Sequence, residues 1–152
     1  MNQAPYPYRK ELETRYTFVS EGKKPITKVV QFFVTEVKDL YCLGFGDLLD
    51  DLTVDDSVNS NNGDILMVII TVFKIAERFT EEFPNAKIYF TGSTSMRTLL
   101  YNRAIKTNYR ALAKIFKITG FKESEEALIE ENYNEFGNNG YILFSLKRIK
   151  TK

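Results

Sequence analysis

Residues 15–46 contain three stretches whose apolar and polar side chains are typical of β-strands. Tyr16 and Phe18 alternate with more polar neighbours over residues 15–20, which predicts a strand. Residues 26–37 and 41–46 are rich in β-branched and aromatic side chains and predict two further strands. The pattern therefore predicts a chain that begins with three strands.

The period changes to that of a helix after a polar connection over residues 47–63. Apolar residues then recur three and four positions apart over residues 64–83, which predicts a helix. A short apolar strand follows at residues 86–91. A second helix is expected from there to about Phe116, with a bend near residues 107–108.

A turn signal, Gly-Asn-Asn-Gly at residues 137–140, precedes a last predicted strand at residues 141–148. The pattern predicts an α+β fold: a mainly antiparallel sheet in the order βββαβα and then one or two strands, with two main helices packed on it. We expect a single globular domain over residues 1–152, with flexible ends at residues 1–12 and 150–152.

Composition excludes several chemistries. The chain of 152 residues is 43% hydrophobic, which is enough to build a core, and it contains no histidine. Histidine-based acid–base catalysis, a Ser-His-Asp triad and histidine metal sites are therefore excluded. The single cysteine, Cys42, excludes an intramolecular disulfide and a thiolate zinc site, and its apolar neighbours indicate a buried, inert thiol. We expect no cofactor and no metal.

The N-terminal segment has no apolar stretch of the kind found in secretory signals. The longest apolar run, residues 65–73, is far shorter than the roughly 18 to 20 residues that span a membrane. We therefore expect a cytoplasmic protein with no membrane partner.

The segment FTGSTSMRTLLYNR, residues 90–103, turns from a strand into a helix through three small residues, Gly92, Ser93 and Thr94. A helix start has unpaired N–H groups and a partial positive charge, so it can bind an anion. Arg97 in the first turn adds a two-pronged donor, and Arg103 reinforces it. The alternative is a simple N-cap by Ser93 or Thr94, with Arg97 paired to a carboxylate of the acidic loop.

Charged residues fall in blocks although the formal net charge is only +1. The second predicted helix carries a basic stripe at three- and four-residue spacing: Arg103, Lys106, Arg110, Lys114 and Lys117. Such a stripe suits nucleic-acid phosphates, but it is equally typical of a solvated helix face that a nearby acidic segment neutralises. That segment, residues 123–135, contains six glutamates and no basic residue.

An acidic loop lies between the third strand and the first helix and contains Asp47, Asp50, Asp51, Asp55 and Asp56. Clustered carboxylates suit Mg²⁺ or Ca²⁺, but the spacing does not match a calcium-binding EF-hand loop. The favoured interpretation is a solvated loop that pairs with Arg97 or Arg103.

Four segments carry a resemblance to a known family: YTFVSEG at residues 16–22, CLGFGD at 42–47, NNGD at 61–64 and GSTSMRTLLY at 92–101. The chain resembles an uncharacterised family of small bacterial proteins, a domain of unknown function. The resemblance implies a compact α+β domain with no assigned activity.

The leading hypothesis is a binding domain for an anionic ligand, a nucleotide or nucleic-acid phosphate, held by Gly92, Ser93, Thr94, Arg97 and Arg103. The first alternative is a histidine-free nuclease of the small bacterial toxin type. Its candidate catalytic residues are Asp47, Tyr101 and Arg97, with the arginines stabilising charge on phosphate. The second alternative is an interaction module whose opposite charge blocks bind a protein partner or a second copy of the chain.

Overall fold

Nine strands form one sheet in the computed structural model, which describes residues 4–49, 52–55, 62–137 and 140–150. The strands are β1 (Tyr8–Leu12), β2 (Arg15–Glu21), β3 (Pro25–Val34), β4 (Leu40–Leu48), β5 (Val54–Asp55), β6 (Lys87–Phe90), β7 (Phe116–Glu123), β8 (Leu128–Asn132) and β9 (Leu143–Arg148). The helices of the same residues are α1 (Ile65–Glu82), α2 (Ser95–Thr107) and α3 (Tyr109–Ala113).

The strands lie side by side in the order β1-β2-β3-β4-β6-β9-β7-β8, and β5 pairs with β4. Within the described residues every pairing is antiparallel except that of β4 with β6. The α+β class is confirmed, but the sheet is larger than the sequence predicted. The additional strands are β1, β5 and the β7–β8 hairpin.

The helices cover one face of the sheet, and the core lies between the helices and the sheet. Phe79 of α1 stacks on Phe32 of β3 with ring centroids 4.0 Å apart. Tyr101 of α2 packs edge-on against Phe90 of β6 at 5.4 Å. Leu112 of α3 belongs to the same buried cluster. No helix in the described part of the chain is long and apolar enough to cross a membrane.

A single helix with a bend near residues 107–108 was predicted, but the structure has two helices there. Helix α2 ends at Thr107, where the Asn108 N–H donates to the carbonyls of Ala104 and Lys106, and α3 begins at Tyr109. The predicted end near Phe116 is wrong, since Phe116 begins β7. Ile118 is buried like Phe116, whereas the residue between them, Lys117, is exposed. Lys117 therefore does not belong to a helical stripe but projects from the opposite face of the sheet.

We call the sheet surface opposite the helices the outer face. Strand β4 alternates between the two faces: Tyr41 packs against Phe79 on the helix side, and Leu43 belongs to the core. Cys42 lies between them on the outer face and is exposed. The expectation of a buried thiol is therefore wrong, because the apolar neighbours of Cys42 in sequence point to the other side of the sheet.

Candidate functional site

A cavity of about 380 Å³ lies where the first part of β3 and the end of β4 meet the starts of α1 and α2. Its polar lining comes from four segments: Lys28, Asp47, Asn62, Asp64, Thr94 and Arg97. Its apolar lining includes Phe45, Ile65, Val68, Met96 and Leu100. The cavity therefore combines a charged side with a side that suits an apolar group.

A buried ion pair forms one wall of the cavity. Lys28 and Asp47 lie directly opposite each other on the antiparallel strands β3 and β4. Lys28 Nζ donates a hydrogen bond to Asp47 Oδ1, and the two side chains are only 8% and 10% exposed. Buried charges are costly unless they are paired, so each of these residues holds the other in place.

The start of α2 forms the second wall. Thr94 is the N-cap residue, and its Oγ1 accepts a hydrogen bond of 3.2 Å from the backbone N–H of Arg97. The Arg97 guanidinium donates to Ser93 Oγ at 3.2 Å. Thr94 therefore acts as the cap that the sequence suggested, while Arg97 and Thr94 both line the cavity.

Gly92 supports this turn without lining the cavity. A Cβ at Gly92 would lie 2.5 Å from the backbone nitrogen of Thr98, so a larger residue does not fit. The Gly92 N–H donates to Thr98 Oγ1 at 3.1 Å. Gly92 therefore lets the strand pass close to the first turn of α2, and its N–H group has an internal partner.

The start of α1 forms the third wall. Asp64 is the N-cap residue of α1, but its side chain makes no capping hydrogen bond. Its carboxylate instead accepts hydrogen bonds from the Tyr6 hydroxyl, at 2.7 Å, and from Ser20 Oγ. Asn62 donates to the Lys24 carbonyl at 2.7 Å and so joins this segment to the β2–β3 turn.

Two helix starts thus face one cavity, and each contributes a partial positive charge. Neither helix has an acidic residue in its first turn, but the Asp64 carboxylate lies at the N-cap of α1, so only the start of α2 has no acidic side chain beside it. The ionisable side chains among the described lining residues are Lys28, Asp47, Asp64 and Arg97. An anion that enters from the α2 side meets Arg97 and the helix start together.

The structure brings two of the predicted catalytic residues together and separates the third. Asp47 and Arg97 line the same cavity. Tyr101 lies in the core between Phe45, at 5.9 Å, and Phe90. Burial raises the pKa of its hydroxyl well above the ordinary value.

Other predicted residues lie away from the cavity or outside the described residues. Arg103 is exposed on α2 and does not line the cavity. Asp55 lies in β5 opposite Asp47, whereas the loop residues Asp50, Asp51 and Asp56 lie outside the described residues. Among the residues that are described, no group of three acidic or cysteine side chains is placed to hold a metal ion.

The glutamate-rich segment pairs with lysines of the same chain. Glu130 lies 3.0 Å from Lys87, and Glu131 lies 3.0 Å from Lys122. Burial raises the pKa of Glu130, but hydrogen bonds from Thr119 and Lys87 outweigh burial and lower it overall. Part of the acidic block is therefore neutralised within the fold.

Lys28 was not identified from the sequence. Lys28 has the same strand parity as Val30 and Phe32, which face the core, so a lysine at an inward position was the available signal. Its partner is 19 positions away and is identified only by the strand register.

Together the fold and the cavity define a class of protein: an α+β domain with a single large sheet, in which two helix starts and two cationic side chains meet at one cavity. The chain belongs to a family of unknown function, DUF6934, whose model matches residues 2–148. The predicted resemblance to a domain of unknown function is confirmed. Comparison with curated proteins and with solved structures gives no match.

Proposed function

We propose that the cavity binds a small phosphate-bearing anion, a nucleotide. The observation that carries this proposal is the convergence of two helix starts and Arg97 on one cavity, since the charge of Lys28 is already balanced by Asp47. Helix starts bind phosphate because their backbone N–H groups and their dipole both favour negative charge.

The size and lining of the cavity fit such a ligand. Small-molecule sites typically enclose about 300 to 1,000 Å³, and this cavity lies within that range. The phosphate would lie at the start of α2 beside Arg97. The apolar side, formed by Phe45, Met96 and Leu100, would accept a base or another flat group.

The two carboxylates of the cavity do not oppose this arrangement. Asp47 is paired with Lys28, and Asp64 accepts hydrogen bonds from Tyr6 and Ser20. Lys28 therefore balances the charge of Asp47, while Asp64, which is held by neutral hydroxyls, keeps its charge on the α1 side of the cavity. The α2 side, with a neutral Thr94 cap, remains the favourable approach for an anion.

Thermal unfolding in the presence of inorganic phosphate and a panel of nucleotides tests the proposal. A ligand that binds only the folded state at about 100 times its Kd adds about 2.7 kcal/mol, or roughly 5 to 10 °C for a domain of this size. We expect this rise in the wild type and its loss in Arg97→Ala. The matched control is Arg103→Ala, on the same helix but outside the cavity, which should keep the rise.

Both variants must first melt cooperatively without ligand, which separates a lost site from a lost fold. A rise that persists in Arg97→Ala, or no rise with any anion in the wild type, refutes the proposal.

The second candidate is a phosphodiester-cleaving nuclease, favoured by the presence of Asp47 and Arg97 in one cavity. In this role Asp47 would accept a proton and Arg97 would stabilise charge that develops on phosphate. Incubation of RNA with stoichiometric protein, with and without Mg²⁺, tests it. RNA that stays intact in both conditions removes this candidate.

The third hypothesis is an interaction module that binds a protein partner or a second copy through its charge blocks. It gains less support, because Glu130 and Glu131 already pair with lysines of their own chain. The chain's mass in solution, measured at low and high salt, tests it, since association through charge should weaken with salt.

A further inference from the structure

Three lysines occupy directly opposite positions on neighbouring strands of the outer face. Lys87 on β6 lies opposite Lys147 on β9, and Lys147 lies opposite Lys117 on β7. Neighbouring strands are about 4.8 Å apart, so the three residues form one short row across the sheet. Like charges directly opposite each other are destabilising, which makes this row unusual for a purely structural surface.

The neighbourhood compensates only part of this charge. Glu130 pairs with Lys87, and Lys147 Nζ donates to the Asn85 carbonyl at 3.1 Å. Glu131 also borders the depression of about 460 Å³ between these strands, but it pairs with Lys122. Lys117 is exposed, and although it forms no close ion pair among the described residues, its charge helps to lower the pKa of Glu130.

An aromatic row adjoins the lysines on the same face. Phe33, Cys42 and Tyr89 are consecutive cross-strand neighbours on β3, β4 and β6. The Phe33 side chain is 55% exposed, and the small Cys42 between the two rings is also exposed. Tyr89 is two residues from Lys87, so the aromatic row and the lysine row lie side by side.

We propose that the outer face binds single-stranded nucleic acid, with a base on Phe33 and phosphates along Lys147 and Lys117. Single strands are bound by this combination, because every base offers a flat face for stacking while the backbone follows positive charge. Lys87 borders this surface but pairs with Glu130 and lies 5.1 Å from the ring centroid of the half-buried Tyr89. Phe33 and Lys117 are exposed, so none of the described elements covers them. The surface lies on the opposite side of the sheet from the cavity, so the inference is independent of the proposed function.

Fluorescence anisotropy with labelled single-stranded RNA and DNA of about ten nucleotides tests the proposal at low salt. The informative variants are Lys117→Gln and Phe33→Ala, both at exposed positions. The matched control is Lys114→Gln, an exposed lysine three residues earlier on the helix side of the molecule.

We expect Phe33→Ala to weaken binding at least about fivefold, the lower bound for loss of one stacked base. Lys117→Gln should weaken binding and reduce the slope of log K against log salt by about 0.7, the value for one phosphate contact on a single strand. Lys114→Gln should change neither quantity. Equal effects of Lys114→Gln and Lys117→Gln would overturn the proposal.

Cys42 supplies a second readout, because it is the only cysteine and lies in the middle of the aromatic row. A saturating single strand should slow the reaction of Cys42 with a thiol reagent, and Lys114→Gln should leave this protection unchanged. An unchanged reaction rate under saturation, no binding by the wild type, or equally tight binding of duplex DNA would overturn the proposal. Protection by an acidic peptide to the same degree would also overturn it in favour of a protein partner.

Discussion

The Lys28–Asp47 ion pair in the cavity wall offers the sharpest test of how much a buried charge pair contributes to the stability of the fold. Both side chains are about nine-tenths buried, and they face each other across two paired strands. Replacing Lys28 with methionine keeps a long unbranched side chain and removes the ammonium group. Asp47 then stays buried without its cation, and the removal of one partner from a buried pair typically costs about 3 to 5 kcal/mol.

A double-mutant cycle separates the pair from its surroundings. Asp47→Asn alone leaves the Lys28 ammonium buried beside a neutral amide, so it should also be strongly destabilising. The double variant Lys28→Met/Asp47→Asn carries neither charge, and we expect it to cost at least about 2 kcal/mol less than the sum of the single variants. The exposed pair Arg78–Glu81, with a 3.3 Å contact, is the matched control and should couple by less than about 1 kcal/mol.

Urea unfolding followed by far-ultraviolet circular dichroism gives these free energies, and tyrosine fluorescence provides a second probe because the chain has no tryptophan. A domain of ordinary stability, about 5 to 15 kcal/mol, still folds with most single variants. A coupling below about 1 kcal/mol would refute the reasoning, since the pair would then behave like a solvated one. The cavity wall would in that case be open to water.

Three further predictions concern the core and its turns. Gly22→Ala should lower the free energy of unfolding by about 1 to 3 kcal/mol, because its Cβ would lie 1.9 Å from the backbone oxygen of Asn62; an unchanged urea midpoint would contradict it. Tyr16→Phe should leave stability unchanged or raise it by about 1 kcal/mol, because the buried hydroxyl has no partner among the described residues, and a clear loss would contradict this. Burial raises the pKa of Tyr16, Tyr133 and Tyr141 from 10.0 to about 12, so the folded state holds these protons more tightly than the unfolded state. The free energy of unfolding should therefore fall between pH 10 and 12, and a urea midpoint that stays constant over that range would contradict this.

The sequence predicted those helices and strands that bury one side against the rest of the protein, because burial of one side gives a regular apolar pattern. Strands β2 to β4 alternate clearly, and helix α1 was expected at residues 64–83 and lies at Ile65–Glu82. Its buried residues repeat with helical spacing because one side of the helix faces the sheet.

The missed strands lack that local signal for identifiable reasons. In β1 nearly every residue is exposed, because it is an edge strand, and only its pairing with β2 reveals it. In β7 the pattern of Phe116, Lys117 and Ile118 continues the spacing of the preceding helix. These residues therefore fit both the helical period and the two-residue period of a strand. The chain changes direction there because α3 ends at Ala113 and Phe116 pairs with Arg148 of β9.

Thr94 and Arg97 of the candidate site could be predicted from the sequence, since they belong to one local motif. Lys28 was not visible, because its relation to Asp47 depends on a register that brings together residues 19 positions apart. Gly92 was predicted to let a ligand approach the backbone, whereas its backbone N–H donates a hydrogen bond to Thr98 Oγ1. Its close contact with α2 is a property of the packed turn and not of the sequence motif.

A formal net charge of +1 suggests no anionic partner, but the fold distributes the charges unevenly. Acidic groups next to both proposed surfaces have internal partners: Asp47 pairs with Lys28, and Glu130 pairs with Lys87. The potential that a ligand meets on the outer face is therefore set largely by Lys117 and Lys147. Exposed charges are screened by salt more strongly than enclosed ones, so single-strand binding on the outer face should weaken steeply with salt, whereas phosphate binding in the cavity should weaken less. If the affinities for phosphate and for a single strand showed the same dependence on salt, a single surface would account for both.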